Sequence, residues 1–154
     1  MTLYFLALFI GAIAGLRAMT APAAIAWGAH LGWLALAGLP LAWMGGWIAV
    51  GVFTLLAVAE LFADQHPKPP SRKVPHQFGT RILTGTFSGA ALMMPSGHWA
   101  RGAVIGAVGA VLGTLGGAEA RATLAARFGK DLPAALLEDA VAVILGLAIV
   151  AAAY

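Results

Sequence analysis

The sequence predicts an all-α, polytopic membrane bundle of about six helices, and three observations carry that reading. Of its 154 residues 61% are hydrophobic and only 10% are charged, where a soluble domain carries roughly 25% charged residues. The mean hydropathy is +0.90. Uncharged stretches run from Thr2 to Leu16, Ala18 to Ala59, Ile82 to Ala100, Gly102 to Ala118 and Ala140 to Tyr154. None alternates apolar and polar residues as a barrel strand would. Too little polar surface remains to coat a water-facing particle, so lipid is the expected solvent.

A hydrocarbon core of about 30 Å takes about 20 helical residues per crossing. The first helix is expected near 3–19; no basic segment precedes it to mark a cleavable signal, so it reads as retained. The stretch from Ala18 to Ala59 is too long for one crossing and is interrupted at Gly38-Leu39-Pro40, where proline removes a donor and glycine loosens the chain. It divides into helices near 22–38 and 42–64. From Gln65 to Phe78, Pro67, Pro69, Pro70 and Pro75 hold an extended backbone around Lys68, Arg72 and Lys73, which predicts a basic loop suited to anionic lipid or a partner. Helices near 80–95 and 100–118 follow. The amphipathic stretch Glu119 to Lys130 is expected as a short interfacial helix leading into a last span near 133–153. The whole is one integral membrane domain, 1–154.

Loops rich in lysine and arginine stay cytoplasmic. With both termini outside, eight of the nine basic residues, Arg17, Lys68, Arg72, Lys73, Arg81, Arg121, Arg127 and Lys130, reach the cytoplasmic face and Arg101 alone lies outside. Tyr4, Trp33, Trp43, Trp47, Trp99 and Tyr154 then fall near the outer boundary, where amphipathic rings are favoured. The net charge of +3 and the pI near 9.8 express this topology and attraction to anionic inner-leaflet lipid. They give no reason to invoke nucleic acid.

Two segments share the spacing G-x-R-x-x-T, Gly15-Leu16-Arg17-Ala18-Met19-Thr20 and Gly79-Thr80-Arg81-Ile82-Leu83-Thr84, and Ala59-Glu60 and Ala118-Glu119 close the helices downstream. This predicts an internal repeat of two helical units, each with an arginine entering and a glutamate leaving, as in parallel transporter repeats. Of the 20 glycines, Gly102, Gly106, Gly109, Gly113 and Gly116 recur at steps of three or four and predict a groove on a central fifth helix, since small residues let membrane helices approach. Tight packing explains such a groove more simply than a substrate path.

The charges Arg17, Glu60, Asp64, Arg81, Glu119, Glu138 and Asp139 converge on the cytoplasmic side. Two readings stay open. In one, Arg17 and Arg81 pair with carboxylates and lock helix ends. In the other they hold an anion, for which guanidinium is suited, with Thr20, Thr84, Glu60 and Asp64 around it. Glu60, Glu138 and Asp139 are then candidates to carry a coupling proton, because membrane depth penalises a charged carboxylate.

Other motifs carry less. Pro95-Ser96-Gly97-His98 matches the PSGH element of lipid-phosphate phosphatases, but no histidine follows His98 to act as nucleophile. His98 is expected to cap a turn, and His30 to be a hydrogen-bonded core histidine. His66 and His76 lack companions for a metal. No catalytic residue, metal site or cofactor is expected, and an intramembrane enzyme is a distant third possibility.

The segments Gly15 to Ala23, Ala59-Glu60-Leu61-Phe62-Ala63-Asp64-Gln65-His66-Pro67-Lys68 with Pro70-Ser71-Arg72, and Asp131-Leu132-Pro133 with Leu136-Leu137-Glu138-Asp139 resemble the bacterial integral membrane family catalogued as domain of unknown function 4126. The likeness covers nearly the whole chain, and its most specific piece is A-E-L-x-A-D-x-x-P-K-x-P-S-R. It implies a small inner-membrane protein of several helices with no established activity, and it assigns no roles to Arg17, Glu60, Asp64, Pro67, Lys68, Arg72, Glu138 and Asp139. The function expected is a carrier, transporter-like or flippase-like, for an anionic solute or lipid headgroup, assembled as a homo-oligomer. The alternative is a non-transporting scaffold that docks a partner or anionic lipid through 65–78.

Overall fold

The computed structural model describes residues 1–65 and 74–154. It contains α1 (Thr2–Leu16), α2 (Thr20–His30), α3 (Trp47–Asp64), α4 (Pro75–Met93), α5 (Trp99–Phe128) and α6 (Asp131–Ala151), with a 3-10 turn at Ala42–Gly45 before α3. No strand occurs among the described residues.

Four boundaries differ most from the sequence expectation, one of them the start of the third helix, which begins at Trp47 after the 3-10 turn and not near 42. The second helix stops at His30, because the amides of Trp33 and Leu34 both turn back to the Gly28 carbonyl at 2.9 and 3.0 Å and Gly32 adopts φ +78°, a conformation open to glycine. The apolar run after it signals burial instead of helix: Leu34, Leu36 and Met44 plug the bundle. The fourth helix starts at Pro75, whose fixed φ and missing donor suit a first turn. The segment expected as a separate interfacial helix continues α5 to Phe128, and the stop comes at Gly129 with φ +69°, the left-handed C-terminal signal.

The helices run up and down. One end of the bundle gathers the last turns of α1 and α3 and the first turns of α2, α4 and α6. At the opposite end Arg101 donates to the Tyr4 hydroxyl at 3.1 Å, Tyr154 donates to the Leu92 carbonyl at 3.1 Å, and the His30 ring lies 4.1 Å from that of Trp47.

Among the described residues three helices, α3, α5 and α6, are long and apolar enough to cross a membrane; α1 is apolar but has 15 residues. α5 packs most extensively, against α1 and α4, and backbone meets backbone there. A Cβ on Gly106 would strike the Gly85 carbonyl, one on Gly102 the Gly89 carbonyl, and one on Gly109 the Leu8 carbonyl. Gly116 has nothing within 4 Å. α3 is peripheral and exposes Trp47, Ile48, Leu55 and Phe62, a surface suited to apolar surroundings.

Candidate functional site

The α1–α2 hairpin sets the problem that its surroundings solve. A helix that ends leaves carbonyls without partners, and one that begins leaves amides without partners. Here both sets occur within residues 15–19, in a turn where Arg17 is extended at φ −142°, ψ 109° and both Arg17 and Ala18 are buried. Such groups need partners from the protein.

Charged side chains supply them with matching polarity. The Arg81 guanidinium, on α4, donates to the carbonyls of Gly15 and Leu16 at 2.8 and 2.6 Å, where the end of α1 carries partial negative charge. The Thr114 hydroxyl, on α5, donates to the Ala110 carbonyl of its own helix at 2.8 Å and shares that proton with the Gly15 carbonyl at 3.2 Å. On the other side of the turn both Glu60 carboxylate oxygens accept from amides, Ala18 and Met19, at 2.8 Å each. Those amides lead into the positive N-terminus of α2. Glu60 also lies 3.7 Å from Arg81.

Arg17 points the other way, with its side chain fully buried. Its Nε donates to Asp139 at 2.6 Å, its Nη1 pairs with Asp64 and its Nη2 with Asp139, and Glu138 stands 3.6 Å off. Asp64 lies 4.0 Å from Arg81, and Gln65 donates to the second Asp139 oxygen at 3.2 Å. Arg121 extends the cluster along α5: it reaches Asp131 at 2.6 and 3.0 Å, the Asp64 carbonyl at 3.1 Å and Glu138 at 3.6 Å. The two innermost guanidinium groups therefore face Glu60, Asp64 and Asp139.

This network lies well inside the bundle. From Tyr4 to Arg17, Trp47 to Glu60, Arg81 to Met93 and Asp139 to Ala151 the helices cover only about 18 to 20 Å at 1.5 Å per residue. Along α5, Arg101 to Arg121 covers about 30 Å.

Of the residues singled out by sequence, Arg17, Glu60, Asp64, Arg81, Glu138 and Asp139 are brought together. Thr20 sits beside them, 4% exposed, with a hydroxyl that has no hydrogen-bond partner among the described residues. It lines an apolar crevice of about 180 Å³ with Trp27, Thr54, Val58, Val143 and Leu147. Thr84 is not brought in: its hydroxyl donates to the Thr80 and Arg81 carbonyls of its own helix at 3.0 and 3.2 Å. Glu119 is exposed, so the matching R…E spacing does not produce matching pairs. Lys68, Arg72 and Lys73, with most of the basic loop, lie outside the described residues.

Of the described histidines His30 is accounted for by packing, while His76 and His98 are exposed. His30 Nδ1 donates to the Gly45 carbonyl at 2.9 Å. His98 occupies the N-cap of α5 without a side-chain cap bond, a correction to its expected capping role, and Gly97 at φ +76° makes the turn. Among the described residues no group of histidine or carboxylate ligands forms a metal site. Sequence reasoning missed Thr114, Gln65 and the backbone of residues 15–19. Thr114 stands in a glycine-rich run that signals only packing, and no local pattern marks a backbone group as a network member.

An apolar helical bundle with three helices of membrane-crossing length and a buried arginine–carboxylate cluster defines the class, an α-helical membrane protein. The family model for a domain of unknown function (DUF4126) matches residues 4–154, and the chain belongs to that family. No curated protein and no solved structure matches it.

Proposed function

We propose that the protein is a small multi-pass carrier of the bacterial inner membrane, with the α1–α2 hairpin as its moving part and the buried arginines as its anion site. The observation that carries this reading is the depth of the network. With the aromatic end at one boundary, about 18 to 20 Å of helix puts Arg17 and Arg81 roughly 10 Å inside the far edge of a hydrocarbon core about 30 Å thick. Arg121 then comes to that far edge. Ionisable residues at membrane depth mark pathways and relays far more often than ornament, and half-helices whose ends meet charged groups near the midplane are a carrier device. α2, at 11 residues, is such a half-helix.

In the resting arrangement the protein's own carboxylates occupy the guanidinium groups, so this is a closed state. An anionic solute or lipid headgroup enters by replacing a carboxylate on Arg17 or Arg81. The basic end faces the cytoplasm, with both chain ends on the opposite side, in accord with the distribution of lysine and arginine.

The test is native mass spectrometry of protein extracted gently from its membrane, comparing wild type with Arg17→Lys and Arg81→Lys. Wild type is expected to retain a discrete anionic mass that both variants lose while keeping their helical circular dichroism. No specific mass on wild type, or variants that lose the folded protein altogether, would overturn the carrier.

A further inference from the structure

We propose that the apolar crevice beside the hairpin binds a long-chain fatty acid, with the hydrocarbon chain in the crevice and the carboxylate at Arg17. This names the substrate class of the site described above and rests on the carrier reading for its purpose. α3 and α6 each pack against α2 and not closely against one another, so α2 is the floor of the crevice and the gap between the other two is its mouth. Val58 and Val143, one on each side, line the crevice and remain exposed. Both helices are of membrane-crossing length, so the mouth opens sideways toward lipid. The walls then lead into the arginine cluster. On α3, Thr54, Val58 and Leu61 line the crevice, and Asp64 continues that face at a step of three. On α6, Leu147 and Val143 line it, and Asp139 continues that face at a step of four. These are the two aspartates that hold the buried Arg17 guanidinium. Thr20, at the same end of the floor, is three residues from Arg17, and its hydroxyl lacks a partner among the described residues. An apolar slot thus ends at a guanidinium whose present partners are carboxylates, the head group that a fatty acid brings.

Size and polarity select one hydrocarbon chain. From Thr20 to Trp27 the floor runs about 10 Å at 1.5 Å per residue. A hydrocarbon chain whose neighbours stand about 4 to 4.5 Å away takes about 130 to 160 Å³ over that length, and the crevice measures about 180 Å³. A helix about 10 Å across would need about 800 Å³ over the same length, so a helix from a second copy does not enter. At the far end the Trp27 indole donates to the Thr54 hydroxyl at 3.0 Å. The indole N–H therefore asks nothing of an occupant, and the wall is otherwise apolar apart from the two threonines, so a hydrocarbon leaves few polar groups unmet. A phospholipid would have to bring its glycerol and a second chain to the depth of Arg17. A fatty acid brings one chain and a compact carboxylate, which guanidinium binds well.

The probe is hexadecanoic acid carrying a mid-chain diazirine, photolysed with the protein in proteoliposomes, with labelled residues read by tandem mass spectrometry. Saturable labelling of crevice residues on α2, α3 and α6 is expected. Unlabelled hexadecanoic acid displaces the probe, and hexadecanol, which keeps the chain and lacks the charge, is expected to compete at least about tenfold less well. Arg17→Lys, which loses the planar fork, is expected to narrow that preference. Val58→Trp at the mouth and Ala57→Phe within the crevice are each expected to weaken labelling about tenfold, the effect of excluding about two methylene groups. Leu55→Phe, at an exposed position of α3 outside the crevice, is expected to label like wild type. Helical circular dichroism confirms that each variant is folded, and Val58, being exposed, keeps the test open if Ala57→Phe does not fold. Labelling that does not saturate, that ignores the filling variants, or that hexadecanol displaces as well as the acid overturns the proposal. The carrier is judged separately. The chain has no cysteine, so Met19→Cys alone reports the accessibility of the hairpin tip to a membrane-impermeant maleimide, with and without hexadecanoic acid. Saturable crevice labelling with an unchanged tip rejects the carrier alone. A discrete anion retained in native mass spectrometry, with no crevice labelling, rejects the fatty-acid site alone.

Discussion

Removing the Glu60 carboxylate tests whether the network exists to complete the hairpin backbone. Glu60→Ala leaves the Ala18 and Met19 amides without the acceptors they now hold at 2.8 Å each, and it deprives Arg81 of a carboxylate 3.7 Å away. A hydrogen bond to a charged group contributes about 1.5 to 3 kcal/mol, and breaking a buried charge pair from one side costs about 3 to 5 kcal/mol. These overlap, since one carboxylate serves both, so the expected loss is about 3 to 5 kcal/mol. Glu60→Gln keeps one acceptor oxygen and sets an NH2 group against the other amide, and roughly half the loss is expected. Reversible unfolding in mixed detergent–SDS micelles, followed by tryptophan fluorescence, gives both values, and hydrogen exchange localises the effect to Ala18 and Met19. A Glu60→Ala protein within about 0.5 kcal/mol of wild type, the range of an ordinary surface change, would refute the argument that these amides depend on Glu60.

Gly106→Ala drives a methyl group into the Gly85 carbonyl and is expected to destabilise by about 1 to 3 kcal/mol as an overpacked contact. Gly116→Ala meets nothing within 4 Å and is expected to be neutral or to stabilise by up to about 1 kcal/mol through helix propensity; the same unfolding assay compares them. Thr114→Val removes a buried hydroxyl that serves the Gly15 carbonyl and should cost about 1 kcal/mol, while Thr84→Val, bonded only to its own helix, should stay within about 0.5 kcal/mol. Arg121 pairs with Asp131, whose side chain is 52% exposed; Asp131→Asn should cost no more than about 1 kcal/mol, and the difference should shrink in high salt.

How much was legible follows from what each signal encodes. The apolar stretches between Thr2 and Tyr154 fix helices and their order because burying apolar surface and satisfying backbone polar groups leave few other solutions in lipid. The glycines at 102, 106 and 109 declare close approach, and Arg17, Glu60, Asp64, Arg81, Glu138 and Asp139 declare themselves by standing at the edges of uncharged segments. The end of α2 was not legible. Leu34, Leu36 and Met44 are as apolar as helical residues and differ only in plugging the bundle, and Gly32 acts as a stop because amides beyond it turn back to Gly28.

The tertiary structure alone decided the pairing. The repeated R…E spacing suggests Arg17 with Glu60 and Arg81 with Glu119, yet Glu60 caps the tip backbone and lies beside Arg81, while Arg17 takes Asp64 and Asp139 from helices far apart in sequence. The choice rests on where α3, α4 and α6 bring their ends against a turn whose carbonyls and amides need opposite charges. By itself the sequence determined which residues are charged, which are apolar and where the chain can approach itself closely. Which charge meets which was set by the geometry of the packed bundle, because electrostatic partnership depends on distance in space and a sequence specifies only distance along the chain.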